Sequence, residues 1–201
     1  MADEVQSGAG RTGRMWAIEH WGVQPDIVCV AKGIASGMPL GAMVARADLM
    51  TWSKGHHGST FGGNAVSCAA ALETIALLKE GLIDNAAERG RQAIEGLRAM
   101  QAQHGELVRD VRGKGLMIGI AFNSDETAEA VQWACFQRGL LVLEAGDDVV
   151  RMSPPLVVTS DEVATAVKLF GEAAAEVAED PKRAYREARE WGALDDIHVG
   201  G

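Results

Sequence analysis

Apolar and polar positions alternate between two regimes along this chain. From Asp26 to Ala31 the run "DIVCVA" is β-branched and apolar on both faces, the pattern of a central strand in a covered sheet. "LGAMVA", Leu40 to Ala45, predicts a second short strand, and the small residues of "KGIASGMP" between them predict a loop. "HHGSTFGGN", His56 to Asn64, is a glycine-rich loop. An Ala- and Leu-rich helical stretch follows from Ala65 to Lys79, with Gly81 fitting its stop. Beyond this point strands and helices interleave. A long amphipathic helix is expected over Ile83 to His104. Strands are expected over Leu107 to Arg112 and Leu116 to Phe122, around a Gly113-Lys114-Gly115 turn. A Ser124-capped helix stops at Gly139, the short strands "LLVLEAG" and "DVVRMSP" follow, and a second capped helix begins near Thr159. This alternation predicts an α/β fold, with a small domain over Ile83 to Asp180. The tail beyond Asp180 reads as a peripheral helix plus a loose terminus.

Composition changes that picture little. The chain has 201 residues, 47% hydrophobic and 23% charged, as in a globular protein with a core. A net charge of −9 argues against nucleic acid or an anionic membrane as partner. No apolar run approaches the length of a membrane span, and "MADEVQSGAG" lacks the basic and apolar regions of a signal peptide. Cys29, Cys68 and Cys135 stand singly, without CxxC spacing. They read as reduced, buried thiols of a cytoplasmic protein. The five histidines form no HxxxH or HExxH pattern, so no metal site is expected, and His56-His57 reads as part of a turn.

Four clusters carry candidate chemistry. In "DEVQSGAGRTGR", Asp3 sits where a strand would end, beside glycines at 8, 10 and 13. That position meets ligands in open α/β sheets, although the plainer reading is a solvated acidic pair. Lys32 ends an apolar strand, whereas the other five lysines lie in polar or helical settings. In a crevice with little water its amine would be neutral and nucleophilic; the plainer reading is a side chain reaching out to solvent. In "HGSTFGGN", two hydroxyls, open backbone and a helix start suit a phosphate, or make an ordinary capped helix. Arg151 is the only charge in "VVRMSPPL" and suits either a substrate carboxylate or a structural ion pair.

The order and spacing of these motifs resemble the active-site segment of class III aminotransferases, the 4-aminobutyrate and acetylornithine subgroup in particular. "DEVQ", "AKG", "STFGGN", "VRGKGLMIGI" and "VRMSPPL" occur in register over residues 2 to about 178. The resemblance implies a fold type I, pyridoxal-phosphate-dependent transferase. It casts Lys32 as the lysine that binds the cofactor aldehyde and moves the proton, and Asp3 as partner of the pyridinium nitrogen. Val5 would lie on the ring face, Gln6 at the 3-oxygen, Thr60 at the phosphate across a homodimer interface, and Arg151 at the substrate carboxylate.

The resemblance extends only to the C-terminal half of such enzymes. It implies a partial large-domain sheet over residues 1–82, a small α/β domain over 83–180 and a tail over 181–201. The expected activity is transfer of an amino group from an amino acid or ω-amino acid to a 2-oxo acid, by a truncated or split chain. An amino-acid racemase or epimerase on the same scaffold, or an inactive fragment, are the alternatives. A missing N-terminal half is an expected partner.

Overall fold

The structure is a computed structural model that describes residues 1–184; the expected tail over 181–201 lies almost wholly outside the described residues. The chain divides into two units, the first covering Met1–Glu88 and the second starting at Arg89.

The first unit is organised around strand β2, Ile27–Val30. On one side it pairs in parallel with β1, Ala2–Asp3. On the other it pairs antiparallel with β3, Ala42–Ala45. The apolar run therefore is a central strand, as its pattern demands, but its covering is incomplete. Ile27 to Cys29 are half-buried, only Val30 is buried, and β3 is almost entirely exposed. Cys29 and Cys68 share this partial cover, so of the three thiols expected to be buried only Cys135 is.

Helix α1, Ala65–Leu77, starts on Asn64, whose Oδ1 accepts the Val66 and Ser67 amides at 3.0 and 3.1 Å. One face, Ser67, Ala71 and Thr74, is buried. The opposite face exposes Val66, Leu72 and Leu77. Gly81 ends the helical run, as its sequence suggests: at φ +149° its backbone is non-helical and kinks the chain before a second helix, α2, Ile83–Gln103, begins. A glycine permits the kink because this φ lies outside the region open to residues with a Cβ.

The second unit is a four-stranded antiparallel sheet in the order β4-β5-β7-β6, with β4 Val108–Lys114, β5 Met117–Phe122, β6 Leu143–Glu144 and β7 Val149–Met152. The β4–β5 hairpin is tighter than expected. Gly113 and Lys114 belong to the strand, paired with Ile118 and Met117, so the turn falls on Gly115 and Leu116. "LLVLEAG" yields only two strand residues, because β6 is an edge strand with Leu141 and Leu143 exposed. Central β5 buries Ile118, Ile120, Ala121 and Phe122.

Helices α3, Asp125–Gln137, and α4, Ser160–Glu179, pack on each other, and α3 also packs on the sheet. Both carry the expected caps. Ser124 Oγ accepts the Thr127 amide at 3.2 Å, and Thr159 and Glu162 exchange reciprocal bonds. The α2 stripe Ala86, Gly90, Ala93, Leu97 and Met100 is buried at alternating steps of four and three. It needs small residues. A Cβ at Gly90 would overlap the Gly115 carbonyl, and one at Gly96 would stand 2.8 Å from a Val167 methyl on α4.

Candidate active site

The parallel pairing of β1 with β2 sets Asp3 opposite Cys29, and the ladder extends one step further through the Glu4 amide, which donates to the Cys29 carbonyl at 2.9 Å. Asp3 thus ends one strand beside the end of its neighbour, and Lys32 follows Cys29 by three residues. The C-terminal ends of parallel strands are where open α/β sheets meet ligands, since their loops diverge there and leave a crevice. Asp3 Oδ1 accepts the Val5 amide at 3.0 Å, which fixes the carboxylate, and its second oxygen has no donor among the described residues.

Lys32 opens a one-turn 3-10 segment, Lys32–Ala35, with φ +48°. A left-handed lysine costs on the order of 1 kcal/mol, a strain that glycine would avoid. Its amine has no hydrogen-bond or ion-pair partner among the described residues, and the residue is exposed. The low-water environment expected from the apolar strand is therefore not formed by this chain, because the three-stranded sheet ends at Lys32 without a covering layer. Ser36, at φ +48°, closes the turn, and its hydroxyl lies 2.9 Å from Thr74 Oγ1 on α1. The helix after the glycine-rich loop is thereby fastened to the lysine turn.

Thr60 lies in that loop and is exposed, as are all the residues from Thr51 to Val66. Within the loop the Ser53 amide donates to His56 Nδ1 at 3.2 Å, and the His56 amide donates to the Ser53 carbonyl at 3.3 Å, closing a turn over Lys54 and Gly55 that His56 ends; His57 meets Trp52 edge-on. No hydrogen bond among the described residues joins the loop to Asp3 or Lys32. Arg151 sits on β7, half-buried, with Gly119 and Leu143 as strand partners. It makes no ion pair among the described residues. Val5 is half-buried and Gln6 exposed. The sites of Asp3, Val5, Gln6 and Lys32 are brought together by the β1–β2 ladder, while Arg151 belongs to the other unit.

Glu4 was the residue that sequence reasoning misread. It is not half of a solvated acidic pair but 4% exposed, and it accepts from Ser7 Oγ at 2.7 Å, the Ala17 amide at 3.0 Å and the Ile18 amide at 2.8 Å. The available signal was the period of two: if Asp3 faces the site, Glu4 faces the other way. Beyond it, burial lowers the Arg11 guanidinium from its ordinary range, and the Thr12 hydroxyl and carbonyl both meet His20 Nε2.

Chemically, the cluster offers an exposed amine, a fixed carboxylate with one open oxygen, a side-chain amide and, on the loop, a hydroxyl beside open glycines. That donor set fits an anionic aldehyde with a protonated ring nitrogen. Among the described residues no cluster of metal-ligating side chains occurs, and no helix is long and apolar enough to cross a membrane.

Comparison with known proteins gives one direction. The model of the family "Aminotransferase class-III" matches residues 1–174. Acetylornithine aminotransferase of Gloeobacter violaceus is 44% identical over 171 residues, covering 85% of this chain and 42% of that protein. That of Caldanaerobacter subterraneus is 39% identical over 176 residues, covering 87% and 44%. Among solved structures, an ornithine aminotransferase from Toxoplasma gondii aligns with a TM-score of 0.83 at 35% identity, over 89% of this chain and 43% of that one. Acetylornithine aminotransferase from Elizabethkingia anophelis aligns with a TM-score of 0.78 at 33% identity, over 86% and 44%. The α/β fold expected from the sequence is the fold of these enzymes, and the chain spans less than half the length of each.

Proposed function

The chain belongs to the class III aminotransferase family, and on that premise we propose that it forms the lysine-bearing part of a pyridoxal-phosphate aminotransferase. The members of this family use pyridoxal phosphate, which supplies an aldehyde to carry the amino group and a ring that withdraws electrons. Residues 1–82 would belong to the cofactor-binding large domain and 83–180 to the small domain. The working enzyme would be a homodimer in the cytoplasm, or this chain joined to a separate N-terminal half.

Lys32 is the residue whose amine would hold the cofactor through its aldehyde and would serve as the acid and base for the substrate's proton. Asp3, fixed by the Val5 amide, has an open oxygen that would keep the ring nitrogen protonated. Val5 would pack on the ring, Gln6 would donate to the ring's 3-oxygen and Thr60 would hold the phosphate across a homodimer interface. Arg151 would hold the substrate carboxylate in bidentate fashion. The amino donor would be an amino acid or ω-amino acid resembling 4-aminobutyrate or acetylornithine, and the acceptor a 2-oxo acid. The names of the similar proteins support this donor class.

The observation that carries the reading is the parallel β1–β2 ladder, which sets an acid and a strained, exposed lysine at adjacent strand ends. The test is an absorbance spectrum of the purified chain incubated with pyridoxal phosphate, beside Lys32→Ala. A band at the visible edge that is lost in the variant and erased by borohydride is expected. A band that survives the substitution, or none in either protein, sinks the reading for this chain on its own.

A further inference from the structure

Among the described residues Glu4 carries three hydrogen bonds and no ion pair, in a position where an unpaired carboxylate is costly. Two of the three partners are not local. Ser7 stands at the entry of the loop that follows β1, and Ala17 and Ile18 at its exit, where a 3-10 segment, Ala17–Trp21, begins. One carboxylate therefore ties both ends of that loop. Its backbone is tied as well: the Glu4 amide to Cys29 on β2, and the Glu4 carbonyl to the Gly8 amide at 3.0 Å. Between the tied ends the loop passes Ala9, which is buried at φ +52°, and a Cβ on Gly33 would meet the Ala9 methyl at 3.9 Å. The loop closed by Glu4 thus carries Val5 and Gln6 and lies against the turn that begins at Lys32.

We propose that Glu4 is a positioning residue of the cofactor site: by closing this loop it holds Asp3, Val5 and Gln6 on one side and the Lys32 turn on the other. It rests on the reading of these residues as the pyridoxal-phosphate site, but the positioning can be measured without the cofactor. Glu4 does not touch the reacting atoms. It acts through the Asp3–Val5 bond and through the approach of Ala9 to Gly33, close enough that a Cβ on Gly33 would touch the Ala9 methyl. The two amides and the hydroxyl all donate, so the carboxylate can serve them with two oxygens. A carboxamide cannot, because its NH2 would face a donor.

The experiment is amide hydrogen exchange on the full chain, without and then with pyridoxal phosphate, for the parent, Glu4→Gln and Ser7→Ala. Four amides report. Ala17 and Ile18 bond Glu4 directly, Val5 bonds Asp3, and Ile34 bonds Ala31 across the lysine turn at 3.2 Å. Removing a charged acceptor is expected to speed exchange by about tenfold or more at all four in Glu4→Gln, with β5 amides unchanged. The affinity for pyridoxal phosphate is expected to fall with them. If only Ala17 and Ile18 loosen, Glu4 merely caps the 3-10 segment and the proposal is overturned. If Glu4→Gln fails to fold, Ser7→Ala decides: a smaller acceleration at Val5 and Ile34 supports positioning, and none refutes it. A parent chain that binds no cofactor removes the functional reading and leaves the exchange result standing.

Discussion

The Ser36 hydroxyl stands 2.9 Å from Thr74 Oγ1, joining the end of the lysine turn to the buried face of α1. Thr74 in turn donates to the Ala70 carbonyl at 2.7 Å, so in this pair Ser36 is the donor. Thr74→Val keeps the shape and removes both bonds. It should cost the first unit about 1 kcal/mol and loosen the Ile34 amide, with no change in the second unit. Denaturant unfolding followed by residue-resolved amide exchange would check this, and equal loss in both units would contradict it.

The left-handed backbone at Lys32 gives a separable prediction. Lys32→Ala and Lys32→Gly both remove the amine, but only glycine relieves φ +48°. The glycine variant should be the more stable of the two by about 1 kcal/mol, with neither able to form a lysine-dependent band. Thermal melts of the pair would test it, and an alanine variant at least as stable would mean that the strain is not stored there.

Gly90 is held by close approach. Any Cβ there meets the Gly115 backbone, which cannot swing aside as a side-chain tip could. Gly90→Ala should therefore destabilise the second unit by about 2 kcal/mol or more, despite the better helix propensity of alanine. Chemical denaturation of the variant is the measurement, and a stabilised variant would show that α2 and the hairpin can separate freely.

Burial pushes the Cys135 thiol from its ordinary 9.0 up to about 12, against a smaller opposing influence of Arg138. Below pH 9 the thiol is neutral in both folded and unfolded chains. Between pH 9 and 12 the unfolded chain sheds the proton and the folded one retains it, so stability falls as pH rises, by at most about 1.4 kcal/mol per unit. The alkaline limb of a pH–stability profile should flatten in Cys135→Ala. At neutral pH a thiol reagent should modify Cys29 and Cys68 ahead of Cys135.

Helix α1 buries one face and exposes large apolar residues on the other, Val66 at 65% and Leu72 at 71%. Exposed apolar surface of this kind seeks a covering partner. The isolated chain is expected to self-associate at micromolar concentration, and Leu72→Glu with Val66→Thr to reduce this. Sedimentation velocity would show it; a monodisperse monomer in the parent would remove the expectation.

Periodicity made most of the fold legible. The strand at Ile27–Val30, the caps at Ser124 and Thr159 and the alternating second unit lie where their residues point. Readings failed where tertiary context overrode a local rule. Lys32 at the end of an apolar strand reads as either a low-water amine or one reaching out to solvent, and it is exposed, because desolvation comes from neighbouring layers, which a strand's own residues do not report. Glu4 was hidden for the converse reason: its amide partners lie thirteen and fourteen residues away and leave no mark on composition.

Strand β1 has two residues, too few ladder bonds to choose its own alignment. A slip of one position would turn Asp3 into the interior and present Glu4 at the strand end. Only the longer side chain has been given a receptacle of three donors on the inner side. The order acid-then-longer-acid in "DE" therefore works as a key: it admits one alignment of β1 on β2, the one that leaves the shorter carboxylate facing out at the strand end.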